Sequence, residues 1–484
     1  MDFSEAYRYS GSLPAYSPDG KYLATAEDFN LVVRDVDTLQ VVQLYSCLDR
    51  IKQLEWCCRS EYVLCGLTQR PIVQIWSVED PDWSCKIDEG PAGVNVPRWS
   101  PDGQSIILVA DFQIRMTIWS LVKRTCLHIN GPKFADRGFG FSPDGSMMAL
   151  IERHDCKDFL SLFAAKDWKP LAHMALPTQD AAGLAFSPDG SCFAVWDSSL
   201  EFQLLVYGLD GSCLTSYRAH TDGLGIKSMA WSSTGQFLAV GTYEQEALLL
   251  DNATWELCAQ LAHCEVVPES EQLVVYEEVE DLPPQNAPAA SQPHQSRPTP
   301  APRSKPGGAQ SSGKAVQGKR VSVVASTRAQ PAEARVVEAP RVDTRSHYVV
   351  QTLPARLRSL KPPIDKPNPK IGIGRMEWSA DGRFLATRND NMAGAVWVWD
   401  ATRLDLVAVL QQACAVRTFS WNPRSAQLAI VCATSRIFLW SPAGASCMHI
   451  PLPAFAALDV RWNRDGASLL VADRERFCCA YTSA

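Results

Sequence analysis

WSPDG, residues 99–103, runs almost directly into the apolar stretch Ile106-Ile107-Leu108-Val109. Proline at the second place of a turn presets φ, aspartate can accept from backbone two residues on, and glycine takes a positive φ without steric cost. The stretch therefore predicts a tight turn joining two antiparallel strands, with Asp102 as a turn residue. A carboxylate used for acid or base chemistry would be unique, and this one recurs. YSPDG begins at 16, FSPDG at 141 and 186, WSSTG at 231, WSADG at 378 and WNRDG at 462, with WCCRS at 56 and WNPRS at 421 as worn copies. Six copies carry the aspartate, as Asp19, Asp102, Asp144, Asp189, Asp381 and Asp465.

From aromatic to aromatic the copies step by 40, 43, 42, 45 and 45 residues, then 147, then 43 and 41. After each turn comes an apolar strand such as KYLATA, a polar stretch, and a second strand such as MTIWS at 116–120 or VWVWD at 396–400. A repeat of this length built from strands is the mark of WD-type propeller blades. The fold class expected is all-β: one closed ring of nine four-stranded blades, or of eight with one atypical unit. The chain ends about one strand short of a full last unit, and FSEAYRYSG at 3–11 precedes the first marker. The N-terminal strand is expected to complete the last blade and so remove two open edges.

The step of 147 defines three segments: residues 1–263 as six units, 264–367 as an insertion, and 368–484 as three more units. Residues 283–345 are rich in Pro, Ala, Ser and Gln, with ten Lys or Arg against three acidic side chains. Such a composition buries too little apolar area to offset chain entropy, so this part is expected to be disordered and dispensable for folding. Ser322, in KRVSV, has the form of a basic-directed kinase site. QLVVYEEV at 272–279 and HYVVQTL at 347–353 are expected to pair as a strand arm at its base.

Composition narrows the function. A formal net charge of -7 gives no reason to expect a nucleic-acid surface over the whole molecule. No run approaches the length of a membrane span and the start lacks the layout of a signal peptide, so a cytosolic protein without membrane partners is expected. The 16 cysteines show no CxxC pair and are read as small buried hydrophobes rather than disulfides or zinc ligands. NPKIGIG at 368–374 lacks the lysine and following helix of a phosphate loop. No Ser/His/Asp or paired-carboxylate constellation rises above the repeat. The expectation is no catalytic residue, no cofactor and no metal.

In a meander, alternate turns lie at the same end. The SPDG turns share one face with the connections after the WD-like strands, and the middle loops and crossovers share the other. On that second face the sequence departs most from the repeat, and loops on a rigid ring suit partner recognition. The candidate partner-binding residues are Lys86, Asp88, Glu89, Asp155, Lys157, Asp158, Trp196, Asp197, Lys370, Arg388, Asn389, Asp390 and Asn391. Reversing charge at Arg388 and Asp390 is expected to weaken partner binding and leave the ring folded.

FSEAYRYSG, LVVRDVDTLQ, CKIDEG, RHDCKDFLSLF, AVWD, GIKSMAWS, NPKIGIG, FLATRNDN and AVWVWD together resemble the family of WD-repeat proteins encoded antisense to the p53-related gene, which are centrosome and spindle-pole factors. The resemblance runs along nearly the whole chain apart from the insertion. It implies a non-enzymatic scaffold that, with a coiled-coil anchoring partner of the Msd type (the SSX-interacting centrosomal protein of animals), holds microtubule minus ends. It further implies indirect links to the gamma-tubulin complex or a minus-end kinesin, and roles in spindle assembly and cilium formation at the centrosome, spindle pole and centriolar satellites. Two rival adaptors are a ubiquitin-ligase substrate receptor and a propeller of translation initiation. The first usually shows W-D-x-R, whereas Trp399-Asp400-Ala401-Thr402-Arg403 places the arginine one residue late.

Overall fold

The computed structural model describes residues 1–220, 223–281, 345–360 and 370–482. The expected linker, 283–345, and Ser322 within it lie outside the described residues except for Arg345.

Nine antiparallel meanders follow one another, and the strands begin where the repeat places them. Blades 1 to 6 span 15–46, 51–88, 98–130, 139–175, 183–217 and 226–262; blades 7 and 8 span 373–411 and 418–449. Blade 9 has three strands from 459–481, and its fourth place is taken by Asp2–Phe3 and Tyr7–Arg8, both paired with Arg476–Tyr481. The N-terminal strand thus closes the ring, as expected.

The blade 3 turn follows its sequence. Ser100 Oγ donates to Asp102 Oδ1 at 2.5 Å and accepts from Ser105 N at 2.9 Å, while Asp102 Oδ1 accepts from Gln104 N at 3.0 Å. Gly103 sits at φ 68°, where a side chain would be strained. The serine–aspartate bond recurs at Ser142–Asp144, Ser187–Asp189 and Ser379–Asp381. Asp144, hydrogen-bonded by Ser142 and Ser146, is held down at about 2. Asp144 therefore stays ionised and serves its turn.

The aromatic that opens each motif seals the ring. Six markers are tryptophans, and each indole N–H donates to the carbonyl just before the preceding blade's marker. The bonds run from Trp56 to Ala15 (2.9 Å), Trp99 to Glu55 (3.1 Å), Trp231 to Ala185 (3.3 Å), Trp378 to Ala230 (3.1 Å), Trp421 to Glu377 (2.9 Å) and Trp462 to Ser420 (3.0 Å). Phe141 and Phe186 fill the same place without a donor. Trp99→Phe should therefore cost about 1–2 kcal/mol in denaturant unfolding, the worth of one bond and some apolar area; an unchanged midpoint would deny the indole this role.

The core lies between blades. In Ser105–Val109 every residue is buried, because both faces of the strand are covered. Ile106 and Leu108 pack toward blade 2, and Ile107 and Val109 toward blade 4. Among the described residues each of the nine seams has its own apolar cluster. The ninth joins Leu470, Phe477 and Cys479 of blade 9 to Leu23, Val36 and Leu39 of blade 1, with Tyr9 between them. A ring of eight with one atypical unit is excluded by this closure.

The flanks of the insertion are part of the ring. Val274–Glu280 pairs in parallel with the outer strand of blade 7, Asp405–Gln411, and antiparallel with Ser346–Val350, giving six strands. The strand arm forms as expected, within the segment 264–367. Val266–Val267 also pairs with Ala355–Arg356. Glu278 is buried against Arg436 of blade 8 with Nη1 at 3.0 Å from Oε1, and Glu280 lies 2.9 Å from Nη2. Ser346 Oγ and Ala413 N donate to Glu278 at 2.9 and 2.7 Å. The arm is bolted between blades 7 and 8 by a largely buried ion network, in which Arg436 Nε and Nη1 find no hydrogen-bond partner among the described residues.

Candidate interaction face

All thirteen candidate residues fall at the end of the meanders that carries the middle loops and crossovers. Asp88 ends the outer strand of blade 2, with Lys86 two residues before it in mid-strand, and Glu89 begins the crossover. Asp155, Lys157 and Asp158 surround the middle turn of blade 4, Trp196 and Asp197 that of blade 5, and Arg388 to Asn391 that of blade 7, with Lys370 on the approach to blade 7.

Burial divides them sharply. Glu89, its side chain 3% exposed, accepts from Trp119 Nε1 at 2.5 Å and pairs with Arg115 Nη2 at 3.2 Å. Asp158 is fully buried, 2.9 Å from Lys133 Nζ, and accepts from Ala181 N at 2.7 Å. Asp197, also fully buried, accepts from the N–H groups of Gln179 (2.7 Å), Asp180 (2.8 Å) and Ser198 (2.7 Å). Asn389 accepts from Asn391 N at 3.0 Å, and Asn391 Oδ1 accepts from Gly372 N at 2.8 Å. Trp196 covers Gly183, where a Cβ would lie 2.4 Å from the ring. Asp158, Asp197, Asn389 and Asn391 thus satisfy loop and crossover backbone, and Glu89 satisfies side chains of blade 3, rather than facing solvent.

Arg388 and Asp390 form an interblade clasp. Asp390 lies 2.6 Å from Lys227 Nζ of blade 6 and 3.2 Å from Arg388 Nη2, and Arg388 Nη1 donates at 2.9 Å to Val416 O beyond blade 7. Burial lowers the Lys227 pKa even with Asp390 beside it. The expectation that the double reversal spares the ring is therefore corrected: side chains 20% and 11% exposed are not loop charges free in water. R388E/D390K should destabilise the ring by about 2–4 kcal/mol, since Lys227 then faces a lysine at a half-desolvated site. Thermal melting of that variant measures it.

Five candidates present their side chains to solvent: Lys86 and Asp88, paired at 3.7 Å, with Asp155, Lys157 and Lys370. Asp155 takes φ 50° at the tip of its turn. A mixed-charge, water-exposed set can steer and orient a partner more than it can bury area.

A histidine carrying similar structural work was not among the candidates. His263, in the crossover after blade 6, places Nε2 2.6 Å from Thr387 Oγ1, which in turn accepts from Trp399 Nε1 at 3.0 Å. Burial drives its pKa down to about 3, so it stays neutral. The signal was available: Ala262-His263 repeats Ala219-His220 one period later.

Glu55, on the inner strand of blade 2, works the other way. Burial raises it from 4.5 to about 7, against the pull of Arg98. The folded state then holds a proton that the unfolded chain has released, so this group makes stability fall as pH rises through the interval from 4.5 to 7. Glu55→Gln should raise the melting temperature by a few degrees at pH 8 and leave it unchanged near pH 4.5; an equal gain at both would mean that ionisation is not the cause.

Among the described residues no group of three or more His, Cys, Asp or Glu side chains is placed to hold a metal ion, and no helix is long and apolar enough to cross a membrane. Residues 211–247 match the family described as WD domain, G-beta repeat. The chain is 39% identical over 484 residues to the WD repeat-containing protein WRAP73 of Mus musculus, covering 99% of this chain and 96% of that one. It is also 28% identical over 171 residues to the WD repeat-containing protein C32H8.09 of Schizosaccharomyces pombe, covering 34% of this chain and 35% of that protein. Full-length identity at this level, on a ring whose every seam is built from the repeated motif, establishes that the chain belongs to the WRAP73 family of WD-repeat β-propeller proteins.

Proposed function

We propose that this protein is a non-enzymatic scaffold of centrosomes and spindle poles, which with a coiled-coil anchoring partner holds microtubule minus ends and supports spindle assembly and cilium formation. The observation that carries the reading is the identity of 39% to a WRAP73 protein over 99% of the chain, together with the centrosomal resemblance drawn from its loop sequences. Its physical form agrees with the role. Rigid blades carry exposed loops of mixed charge, and such loops suit recognition of several partners at once. The repeated carboxylates, which would be the natural candidates for chemistry, are engaged in turns.

Proximity labelling from the full chain in dividing cells tests the reading. The expected result is enrichment of the coiled-coil anchoring protein and of gamma-tubulin complex components at spindle poles. Labelling dominated by ribosomal subunits, or by ubiquitin-ligase subunits, with no signal at the poles would overturn it in favour of another adaptor role.

A further inference from the structure

Where the ring closes, the interaction face is opened by a groove of about 920 Å³. Its walls are the middle turn of blade 9, Asp473 to Glu475, and that of blade 1, Asp28 and Phe29; its floor is the N-terminal segment Arg8 to Gly11. The floor is rigid. Tyr9 is buried and its hydroxyl donates to Asp473 O at 2.5 Å, its N–H donates to Glu475 O at 2.9 Å, and Ser10 N donates to Ala26 O at 2.7 Å. The segment that seals the ring is thus also the base of an open site.

The charges around it are unevenly satisfied. Of the acidic side chains, Glu27 is paired with Arg34 at 3.3 Å and Asp28 with Arg50 at 3.8 Å. Of the basic ones, Arg476 is paired with Asp473 at 3.3 Å, but Arg8 and Arg474 are exposed and form no ion pair among the described residues. Two free guanidiniums therefore face one free carboxylate, Glu475. Beside them, Phe29 is 44% exposed. Guanidiniums bind carboxylates bidentately, and an aromatic at their side offers a place for an apolar anchor.

From this geometry we infer that the closing seam is a docking groove for an acidic segment of a partner protein carrying an aliphatic or aromatic anchor. Arg8 and Arg474 clamp carboxylates, and Phe29 receives the anchor. The inference rests on the reading of the ring as a partner-binding scaffold, and it assigns that role to a sector outside the candidate residues above.

The test uses the full chain and two fluorescein-labelled peptides with the same leucines and phenylalanine, one with glutamates and the other with lysines at the charged places. Fluorescence anisotropy should show the acidic peptide binding at least about tenfold tighter than the basic one at low salt, and R8E/R474E should abolish or reverse that preference. F29A should weaken the acidic peptide by about tenfold. K123E/K166E, on turns of the opposite face, should change nothing, and melting curves confirm that each variant is folded. Equal binding of the two peptides, or full acidic-peptide affinity in R8E/R474E, would overturn the groove assignment. Capture of the coiled-coil partner separates the two readings. Wild-type capture that survives R8E/R474E sinks the groove and spares the scaffold; peptide discrimination without wild-type capture supports the groove and sinks the coiled-coil partner.

Discussion

A chain lacking residues 1–13 is expected to lose on the order of 5 kcal/mol of stability and to unfold from the seam between blades 9 and 1. Tyr9 is buried there against Phe477, with ring centroids 6.4 Å apart, and Tyr7 stacks on Phe477 at 5.5 Å. Ser4 makes two further bonds to Cys479, one in each direction, at 2.9 Å. A large side chain fully buried is worth about 1.5–3 kcal/mol, so Tyr9 with the partly buried Phe3, Tyr7 and Leu13 accounts for the figure. The backbone adds to it, because Arg476–Tyr481 becomes an open edge able to pair with other chains. Denaturant unfolding with parallel size-exclusion chromatography should show both a lower midpoint and self-association. A truncated chain that unfolds at the wild-type midpoint would mean that the three remaining strands of blade 9 close the ring unaided.

Glu278→Ala is expected to cost about 3–5 kcal/mol, because it strands the buried Arg436 guanidinium without its one fully buried counter-charge. Arg436 is fully buried, whereas the carboxylate left to it, Glu280, is 30% exposed. Glu280→Ala should therefore cost far less, and replacing Arg436 and Glu278 together by apolar residues of similar volume should recover most of the loss. Unfolding midpoints of the three variants decide between a bolt and a bystander. If Glu278→Ala and Glu280→Ala were equally mild, the insertion arm would be a surface attachment rather than part of the ring. Parallel pairing with Asp405–Gln411 fixes the direction of Val274–Glu280, so that strand ends at the face of middle loops and crossovers.

The ring was legible because its determinants are local and repeated. SPDG names its own turn chemistry, and strands covered on both faces must be apolar throughout, as Ile106 to Val109 are. The arm at 272–279 and 347–353 was legible as a pair, since both runs alternate like strands. Its parallel addition to blade 7 was not, because the partner strand lies more than 100 residues away and nothing local encodes it. The candidate face was legible as a face, since meander parity alone assigns each loop to one end. Its individual residues were not. Asp88 and Asp158 look alike in sequence, yet one is exposed and the other is fully buried on Lys133; only the neighbouring blade decides which carboxylate is needed to satisfy backbone. The groove at the closing seam was hidden for the same reason, being assembled from Arg8, Phe29 and Arg474 at opposite ends of the chain.

Lysine cross-linking with mass spectrometry on a mixture of the full chain and the proposed coiled-coil anchoring protein tests most directly the proposal that partners dock on the face of middle loops and crossovers. Lys52, Lys86, Lys157 and Lys370 are exposed at that end, and Lys21, Lys123 and Lys166 are exposed on turns of the other. The cross-links to the partner are expected to concentrate on the first four. Cross-links concentrated on Lys21, Lys123 and Lys166 would place the partner on the SPDG face and contradict the account.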